Sequence, residues 1–236
     1  MRPNRKAKEM SVRELASYID QSVLKPEFTQ DEIRRYIQEG VDFGCATVCV
    51  NPSSLDIAAE LTTGSDTKVC VVCDFPFGLS TTESKVLQAG SYCRRGDVHE
   101  LDIVANYGWV RSGMWSEVEA DLRAVTEVCH GHGVVVKAIL ETDALTMEQI
   151  AQATETAVRT GVDFVKTSTG FYTGGPVNGA TPEIVKLMLD VSRGRCKVKG
   201  SGCIRTREHF LRLIDMGIDR MGVGYKSTPV VLGIRK

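Results

Sequence analysis

The chain has 236 residues, of which 42% are hydrophobic, 25% charged and 6% aromatic, as in ordinary globular proteins. Its 29 Lys and Arg residues nearly balance 30 Asp and Glu residues, which argues against nucleic-acid-binding and membrane-surface proteins, since both carry a basic excess. Residues 1–10 carry Arg2, Arg5, Lys6 and Lys8 with no apolar run behind them, which predicts a short basic lead-in rather than a secretory signal. We therefore expect a cytoplasmic protein with no nucleic-acid or membrane partner.

Short apolar runs rich in β-branched residues alternate along the chain with amphipathic stretches. The predicted strands cover residues 16–20, 46–51, 69–74, 99–104, 134–140, 162–168, 196–200 and 219–222. The predicted helices between them cover residues 29–39, 53–62, 82–95, 117–130, 146–160, 181–192 and 206–216. Several helices open at a threonine N-cap, such as Thr29, and several are predicted to stop at a glycine, such as Gly40.

This alternation predicts an α/β fold, because strands that alternate strictly with helices pair in parallel through helical crossovers. Eight such units are the number that closes a (β/α)8 barrel of about 250 residues. The alternative is an open doubly wound sheet, but no Gly-x-Gly-x-x-Gly turn follows the first strand. With no linker or break in composition, we predict one domain over residues 1–236, folded as a single (β/α)8 TIM barrel.

The eight cysteines are scattered along the chain, and Cys70 and Cys73 have the spacing of a zinc knuckle. Both lie in an apolar, β-branched run that is predicted to be a strand. Residues three apart in a strand point to opposite faces, so these two sulfurs cannot share a tetrahedral metal. The cysteines are interpreted as buried thiols, and no metal site is predicted.

Ionisable residues inside apolar strands mark the candidate active site. Charged side chains are costly there unless they are paired or used, and the active site of a barrel lies at the carboxyl ends of its strands. Five such residues fall near the ends of five predicted strands, namely Asp20, Asp102, Lys137, Lys166 and Lys199. A single lysine of this kind is usually a strand-end residue that reaches solvent, but together they indicate a functional cluster.

Two neighbouring lysines in an enclosed site have a definite chemical use. A free lysine has a pKa of about 10.4 and stays protonated at pH 7, whereas burial and a second cation favour the neutral amine. A neutral amine forms a Schiff base with a carbonyl, and a nearby carboxylate moves protons. Lys166, Lys199 and Asp102 therefore predict a class I aldolase that needs no metal and no other cofactor. A non-catalytic barrel that binds a sugar phosphate is the alternative from another class.

Glycine-rich turns follow the seventh and eighth strands, at residues 200–206 and 221–226. Turns of this kind in a barrel, with helix N-terminal amides beside them, form a common phosphate pocket. Arg205 and Lys226 could supply positive charge there, or be solvated. The plain alternative is that these glycines only make tight connections.

The sequence resembles the deoxyribose-phosphate aldolase family in motifs that recur in order over residues 15–225. The matching stretches are residues 19–26 (IDQSVLKP), 73–78 (CDFPFG), 81–85 (TTESK), 100–104 (ELDIV), 137–142 (KAILET), 164–171 (FVKTSTGF), 180–182 (ATP) and 198–206 (VKGSGCIRT). The resemblance implies that Lys166 forms the Schiff base, that Lys199 lowers the pKa of Lys166, and that Asp102 drives the proton relay. It also implies reversible cleavage of 2-deoxyribose 5-phosphate to glyceraldehyde 3-phosphate and acetaldehyde, without a cofactor, by a homodimer.

The same resemblance implies a set of substrate-binding residues. They are Asp20, Ser22, Cys49, Lys137, Thr167, Gly170, Gly202, Cys203, Gly222, Gly224 and Lys226. The sequence departs from the family mainly at the phosphate end, where Cys203 replaces a second glycine, and Gly224 and Tyr225 stand where serines are usual. Residues 172–176 are extra. The substrate could be the same and held by Lys226, or the chain could be a sister aldolase for a different, unphosphorylated hydroxy-aldehyde or sugar.

Overall fold

The computed structural model describes residues 6–234, and its eight strands form one closed parallel barrel in sequence order. The strands are β1 (Ile19–Val23), β2 (Thr47–Val50), β3 (Lys68–Cys73), β4 (Glu100–Val104), β5 (Val135–Ile139), β6 (Phe164–Lys166), β7 (Lys197–Ser201) and β8 (Arg220–Gly224). Closure comes from the pairing of β8 with β1, which sets Asp20 opposite Gly222. The predicted (β/α)8 barrel is confirmed.

Helices surround the barrel and connect its strands. They are α1 (Val12–Ala16), α2 (Gln30–Phe43), α3 (Leu55–Thr62), α4 (Thr82–Cys93), α5 (Tyr107–Arg111), α6 (Trp115–His130), α7 (Met147–Arg159), α8 (Pro182–Ser192), α9 (Arg207–Asp215) and α10 (Thr228–Val231). Short 3-10 helices cover Ala7–Glu9, Pro52–Ser54 and Thr142–Ala144. Within residues 6–234, no helix combines the length and the apolar character that a membrane span needs.

Each strand has an outward apolar face and an inward face, because side chains alternate across a strand. On β4, the outward Leu101 and Ile103 join the core under the helices, while Glu100 and Asp102 face the barrel interior. The two cysteines of β3 separate as predicted, since Cys70 contacts Asp102 inside the barrel and Cys73 faces α4. The helix layer therefore encloses the apolar core, and the barrel interior keeps its charged residues.

A buried ion pair secures the helices next to β4. The Lys85 Nζ on α4 donates to Asp121 Oδ2 on α6 at 2.6 Å and to the Val104 carbonyl at 3.1 Å. Both side chains are buried, so the interaction is well shielded from solvent. It fixes the carboxyl end of β4, two residues from Asp102.

The start of the chain differs from the sequence prediction. The first predicted strand, residues 16–20, is wrong by three residues, because a capping box between Ser11 and Glu14 starts α1 and Ala16 ends it. The predicted lead-in is packed where it is described: Ala7 is fully buried, and its amide donates to Asp215 Oδ1 at 2.8 Å. Arg2 and Arg5 lie outside the described residues.

Gly40 does not stop a helix, contrary to the sequence prediction. Helix α2 runs through it to Phe43 and ends at Gly44, whose φ of 73° is the left-handed conformation of a C-cap glycine. A Cβ at Gly40 would lie 2.9 Å from Val48 Cγ1 on β2. Gly40 therefore lets α2 approach the barrel closely.

Candidate active site

Three lysine amines converge on one buried carboxylate inside the barrel. The Lys166 Nζ and the Lys199 Nζ each donate to Asp102 Oδ2 at 2.7 Å. The other oxygen, Asp102 Oδ1, accepts from Lys137 Nζ at 2.8 Å and from Cys70 Sγ at 3.2 Å. Strands β3 to β7 deliver these side chains, because residues 70, 102, 137, 166 and 199 all have the inward parity. The structure thus brings together the three residues that the sequence predicts to be catalytic.

A second layer of charges lies under this group. Asp20 Oδ2 is 2.5 Å from Lys199 Nζ, and Glu100 Oε2 is 2.6 Å from Lys137 Nζ. Arg220 joins the two carboxylates, with its Nη1 2.5 Å from Asp20 Oδ1 and 3.2 Å from Glu100 Oε2. The sequence prediction of a cluster at Asp20 and Lys137 agrees with this placement, whereas Arg220 was not predicted. Arg220 lies two residues before Gly222 on β8 and so faces the same side of the strand, and this alternation could have predicted its inward position.

The electrostatics of the cluster follow from burial and mutual contact. Burial alone would raise the pKa of Asp102, but the charges of Lys137, Lys166 and Lys199 outweigh it and hold that pKa well below its usual value. Burial alone would lower the pKa values of Lys137 and Lys199, but Asp102 and Asp20 raise both above the usual lysine value. The same lysines lower the pKa of Asp20 against its burial. The cluster therefore holds Asp20 and Asp102 ionised.

Lys166 is the lysine of the cluster nearest the opening of the barrel. It is the last residue of β6, and its side chain is 5% exposed, against 1% for Lys199 and 0% for Lys137. Of these three amines, Lys166 is therefore the one that a small molecule at the carboxyl ends of the strands reaches first.

An apolar wall faces the lysines from β1 to β3. It forms a hydrophobic cluster separate from the main core, made by Leu24, Cys49, Cys70 and Val72 with Phe75 and Phe171 packed against it. The rings of Phe75 and Phe171 meet edge to face, with centroids 5.3 Å apart. Cys49 was predicted at the site from the family resemblance, whereas Phe75 and Phe171 were only parts of quoted motifs. The wall gives the site a low-polarity side suited to a short carbon chain.

The connection after β6 is fastened to its neighbours. The Thr167 hydroxyl donates to the Ser201 carbonyl at 2.8 Å and accepts from the Ser201 amide at 2.9 Å. Gly170, with a φ of 82°, turns the chain out of the barrel. Asp143 Oδ1 accepts from the amides of Asn178 and Gly179, at 2.7 and 2.9 Å. The extra residues 172–176 therefore lie in a loop that is anchored at both ends.

The turn after β7 packs against that loop. Gly202 has a φ of 84°, and its Cα would lie 2.8 Å from a Cβ placed on Gly179. Cys203 has a φ of 58°, a left-handed conformation that glycine adopts more easily, and its Sγ lies 3.4 Å from the Val177 carbonyl. Cys203 thus occupies a glycine-type position on the rim of the site.

The residues that follow β8 pack on α2. Ser22 pairs with Cys49 on one side and with Gly224 on the other, so the carboxyl ends of β1, β2 and β8 are adjacent. The Tyr225 ring packs on Tyr36 of α2, with centroids 3.8 Å apart. The Lys226 amine lies 5.7 Å from the Tyr225 ring centroid and lines a groove of about 580 Å³ beside α2. Among the described residues, the structure does not bring Lys226 into contact with the lysine cluster.

One group of side chains at the site has metal-ligand character. Donor atoms of Cys49, Cys70 and Asp102 lie within 4.8 Å of one another. The Lys137 Nζ already contacts both Cys70 Sγ, at 3.2 Å, and Asp102 Oδ1. Burial, the hydrogen bond with Cys49 and the charge of Asp102 raise the pKa of Cys70 well above its usual value, whereas the hydrogen bond with Cys70 lowers the pKa of Cys49. The geometry therefore favours an ammonium over a metal ion at this position.

Comparison with known proteins agrees with the fold and the site, which together define a (β/α)8-barrel aldolase. The chain belongs to the DeoC/LacD aldolase family, whose sequence pattern matches residues 15–227. It is 41% identical to the deoxyribose-phosphate aldolase of Staphylococcus saprophyticus, over 88% of this chain and 91% of that protein. It is also 41% identical to the deoxyribose-phosphate aldolase of Caldanaerobacter subterraneus, over 91% of each chain.

Solved structures give the same result. The tetrameric deoxyribose phosphate aldolase of Aeropyrum pernix superposes with a TM-score of 0.84 at 28% identity, covering 94% of this chain and 91% of that one. A solved protein described as QR15, an aldolase, superposes with a TM-score of 0.84 at 34% identity, covering 94% and 96%.

Proposed function

We propose that this protein is a class I aldolase that cleaves 2-deoxyribose 5-phosphate reversibly to glyceraldehyde 3-phosphate and acetaldehyde. The names of relatives about 40% identical to this chain support the substrate. The observation that carries the chemistry is that Lys166 and Lys199 both donate to Asp102 Oδ2 at 2.7 Å. This arrangement offers a reactive amine, a second amine beside it and a carboxylate that bridges them.

Lys166, Lys199 and Asp102 provide the groups that the cleavage needs. The neutral Lys166 amine adds to C1 of the open-chain sugar, and water leaves to give a cationic Schiff base. The C2–C3 bond then breaks, its electron pair moves toward the Schiff-base nitrogen to form an enamine, and the C3 hydroxyl loses its proton to give glyceraldehyde 3-phosphate. The pair of Asp102 and Lys199 takes up that proton and returns one to C2. Hydrolysis of the resulting Schiff base releases acetaldehyde and frees Lys166.

Chemical trapping tests the role of Lys166. Borohydride added with acetaldehyde is expected to reduce the Schiff base and to place an ethyl group on Lys166, detected by peptide mass spectrometry. Lys166→Ala is expected to abolish both labelling and turnover. Lys137 serves as an internal control that is expected to stay unlabelled, since it contacts the same carboxylate but its side chain is 0% exposed. Tight sugar-phosphate binding with neither label nor turnover would instead favour a non-catalytic binding barrel.

The role of Lys199 has its own test. Lys199→Leu removes one positive charge beside Lys166, so protonation of Lys166 becomes easier and activity is expected to fall sharply at pH 7, by roughly tenfold for each unit by which the pKa rises. The pH optimum is expected to move upward. A pH–rate profile measures both effects, and an unshifted optimum would refute this role.

At the phosphate end, we propose that the amides around Gly202, Cys203, Gly222 and Gly224 bind the substrate, beside Ser22, Thr167 and Gly170. A second candidate function is a sister aldolase for a different or unphosphorylated hydroxy-aldehyde. The packing of Tyr225 on Tyr36 of α2, at a position where the family usually has a serine, supports this candidate.

Comparing kcat/KM for deoxyribose and its 5-phosphate separates the two functions. A large preference for the phosphate supports the first, and its loss in Lys226→Ala would assign Lys226 to the phosphate. Equal use of both sugars would favour the sister aldolase.

We further propose that the 236 residues act as one domain in a cytoplasmic homodimer. Eight cysteines without a disulfide fit a reducing compartment. Phe77, Leu79 and Leu87, on and just before α4, are 48%, 65% and 65% exposed, which suits contact with a second copy of the chain. Light scattering is expected to give a dimer, converted to monomer by Leu79→Glu with Leu87→Glu. The control Met147→Glu, at a separate exposed site on α7, is expected to stay dimeric.

A further inference from the structure

Arg220 occupies the base of the charge network and is the one cation there that never loses its proton. It opens β8, and its side chain is 15% exposed, toward the amino ends of the strands. The guanidinium contacts Asp20 and Glu100, and it lies 5.6 Å from the ring centroid of Phe164. Burial alone would lower the pKa of Arg220, but the two carboxylates raise it further above its already high value.

The charges in direct contact do not balance. The cations are Lys137, Lys166, Lys199 and Arg220, and the carboxylates they touch are Asp20, Glu100 and Asp102. Because arginine stays charged at every working pH, its charge offsets one of the three carboxylates. Three lysines then share the two remaining negative charges, and one lysine is left in excess.

Lys166 is the lysine of the network with the fewest carboxylate contacts. Among residues 6–234, it contacts one carboxylate oxygen, Asp102 Oδ2, and shares that oxygen with Lys199. Lys199 contacts Asp20 as well, and Lys137 contacts three carboxylates. Attraction between close opposite charges is strong inside a protein, so the lysine with the fewest such contacts gives up its proton first.

We infer that Arg220 is a positioning residue that favours the neutral amine of Lys166 by occupying Asp20 and Glu100. The inference rests on the proposed Schiff-base function. Arg220 acts through other residues and touches no reacting atom. Without it, the carboxylates would be free to compensate all three lysines, and Lys166 would keep its proton to a higher pH.

Other ionisable groups face the cluster without joining its ion pairs. The Cys49 and Cys70 thiols lie against it from β2 and β3. Glu141, at the carboxyl end of β5, accepts hydrogen bonds from Thr169, and burial raises its pKa. Lys197 on β7 is exposed, with its amine 5.2 Å from the Phe164 ring centroid. Lys197 therefore provides a matched control, a cation on the same ring as Arg220 that makes no ion pair in the part of the chain the structure describes.

The test measures the rate of acetaldehyde trapping by borohydride at Lys166 as a function of pH. Arg220→Gln is expected to raise the midpoint of this profile by about one pH unit, which slows trapping about tenfold at pH 7. Arg220→Lys, which keeps the charge, is expected to keep the wild-type midpoint. Lys197→Gln is expected to leave the midpoint in place.

A double variant distinguishes charge balance from structural damage. Glu100→Gln with Arg220→Gln removes one charge of each sign and restores the excess lysine, so the midpoint is expected to return toward the wild-type value. An unshifted midpoint in Arg220→Gln, or a shift that the double variant does not reverse, would overturn the inference. Absence of label at Lys166 in the wild-type enzyme would instead refute the proposed function. Trapping of Arg220→Gln at high pH with the wild-type rate shows that the variant is folded.

Discussion

The two oxygens of Asp102 contact different lysines. Oδ2 accepts from both Lys166 and Lys199, and Oδ1 accepts from Lys137. A carboxylate with one oxygen on each side separates the amine proposed to react from the amine that only compensates charge. This division explains why three lysines are present where the chemistry needs two.

Cys203 stores backbone strain that a single substitution relieves. A non-glycine residue at a φ of 58° costs of order 1 kcal/mol, so Cys203→Gly is expected to raise the free energy of unfolding by up to about 1 kcal/mol. Urea denaturation measures the change. Cys203→Ala is the control, since it removes the thiol and keeps the strain, and it is expected to give no gain. Equal gains in both variants would mean that the thiol, rather than the backbone, carries the cost.

Most of the candidate site could be predicted from single residues because charges stand out in apolar strands. Asp102, Lys137 and Lys199 interrupt runs of β-branched residues, and alternation alone turns them inward. Arg220 follows Asp219 at the start of a short strand, where a charge usually belongs to a solvent-exposed end. Its inward direction depends on the register of β8 against β7, which sets it opposite Lys199. Register is a property of the closed sheet rather than of one strand.

At the level of elements, two glycines inside helices differ in the space that is available for a side chain. A Cβ at Gly40 would lie 2.9 Å from Val48 Cγ1, whereas a Cβ at Gly90 on α4 would meet the flexible end of Arg94 at 3.2 Å. Gly40→Ala is expected to destabilise the protein by about 1–3 kcal/mol through overpacking. Gly90→Ala is expected to be neutral or to stabilise by up to about 1 kcal/mol, the helix propensity gain. Urea denaturation of both variants measures the contrast, and a loss of similar size in both would contradict it.

The difference between local and tertiary interactions explains which element boundaries could be predicted. Threonine N-caps fixed the starts of α2, α7 and α8 to within a residue, because a cap is a local interaction. The end of α2 was placed too early, because the close approach of the helix to β2 is a tertiary contact that the local sequence does not show. The boundary of β1 failed for a different reason, since the local capping box of Ser11 and Glu14 was missed and Ala16 is apolar in either a helix or a strand.

For the whole molecule, the buried charges set the pH range of stability. The pKa values of Asp20 and Asp102 are lowered on folding, so their contribution is complete above the unfolded value of about 3.9 and is lost as pH falls through the folded values. The pKa values of Lys137 and Lys199 are raised, so their contribution is complete below about 10.4 and is lost as pH rises through the folded values. The contribution of these four groups to stability is therefore expected to be constant from about pH 4 to pH 10.

Urea unfolding over a pH series tests this expectation. Asp20→Asn is expected to lower the free energy of unfolding at pH 7 by about 3–5 kcal/mol, because Lys199 and Arg220 lose a buried partner. The acid limb of its profile is expected to be shallower than that of the wild-type protein, since one titrating carboxylate is gone. An acid limb of unchanged slope would show that other carboxylates govern the acid response.

The ion pair between Asp20 and Arg220 joins residues 200 positions apart, across the seam where β8 meets β1. Arg220 therefore meets Asp20 only when β8 pairs with β1. On the proposed role of Arg220, the charge balance around Lys166 is complete only in the closed barrel. Trapping of acetaldehyde during refolding is therefore expected to reach its full rate only once the barrel has closed.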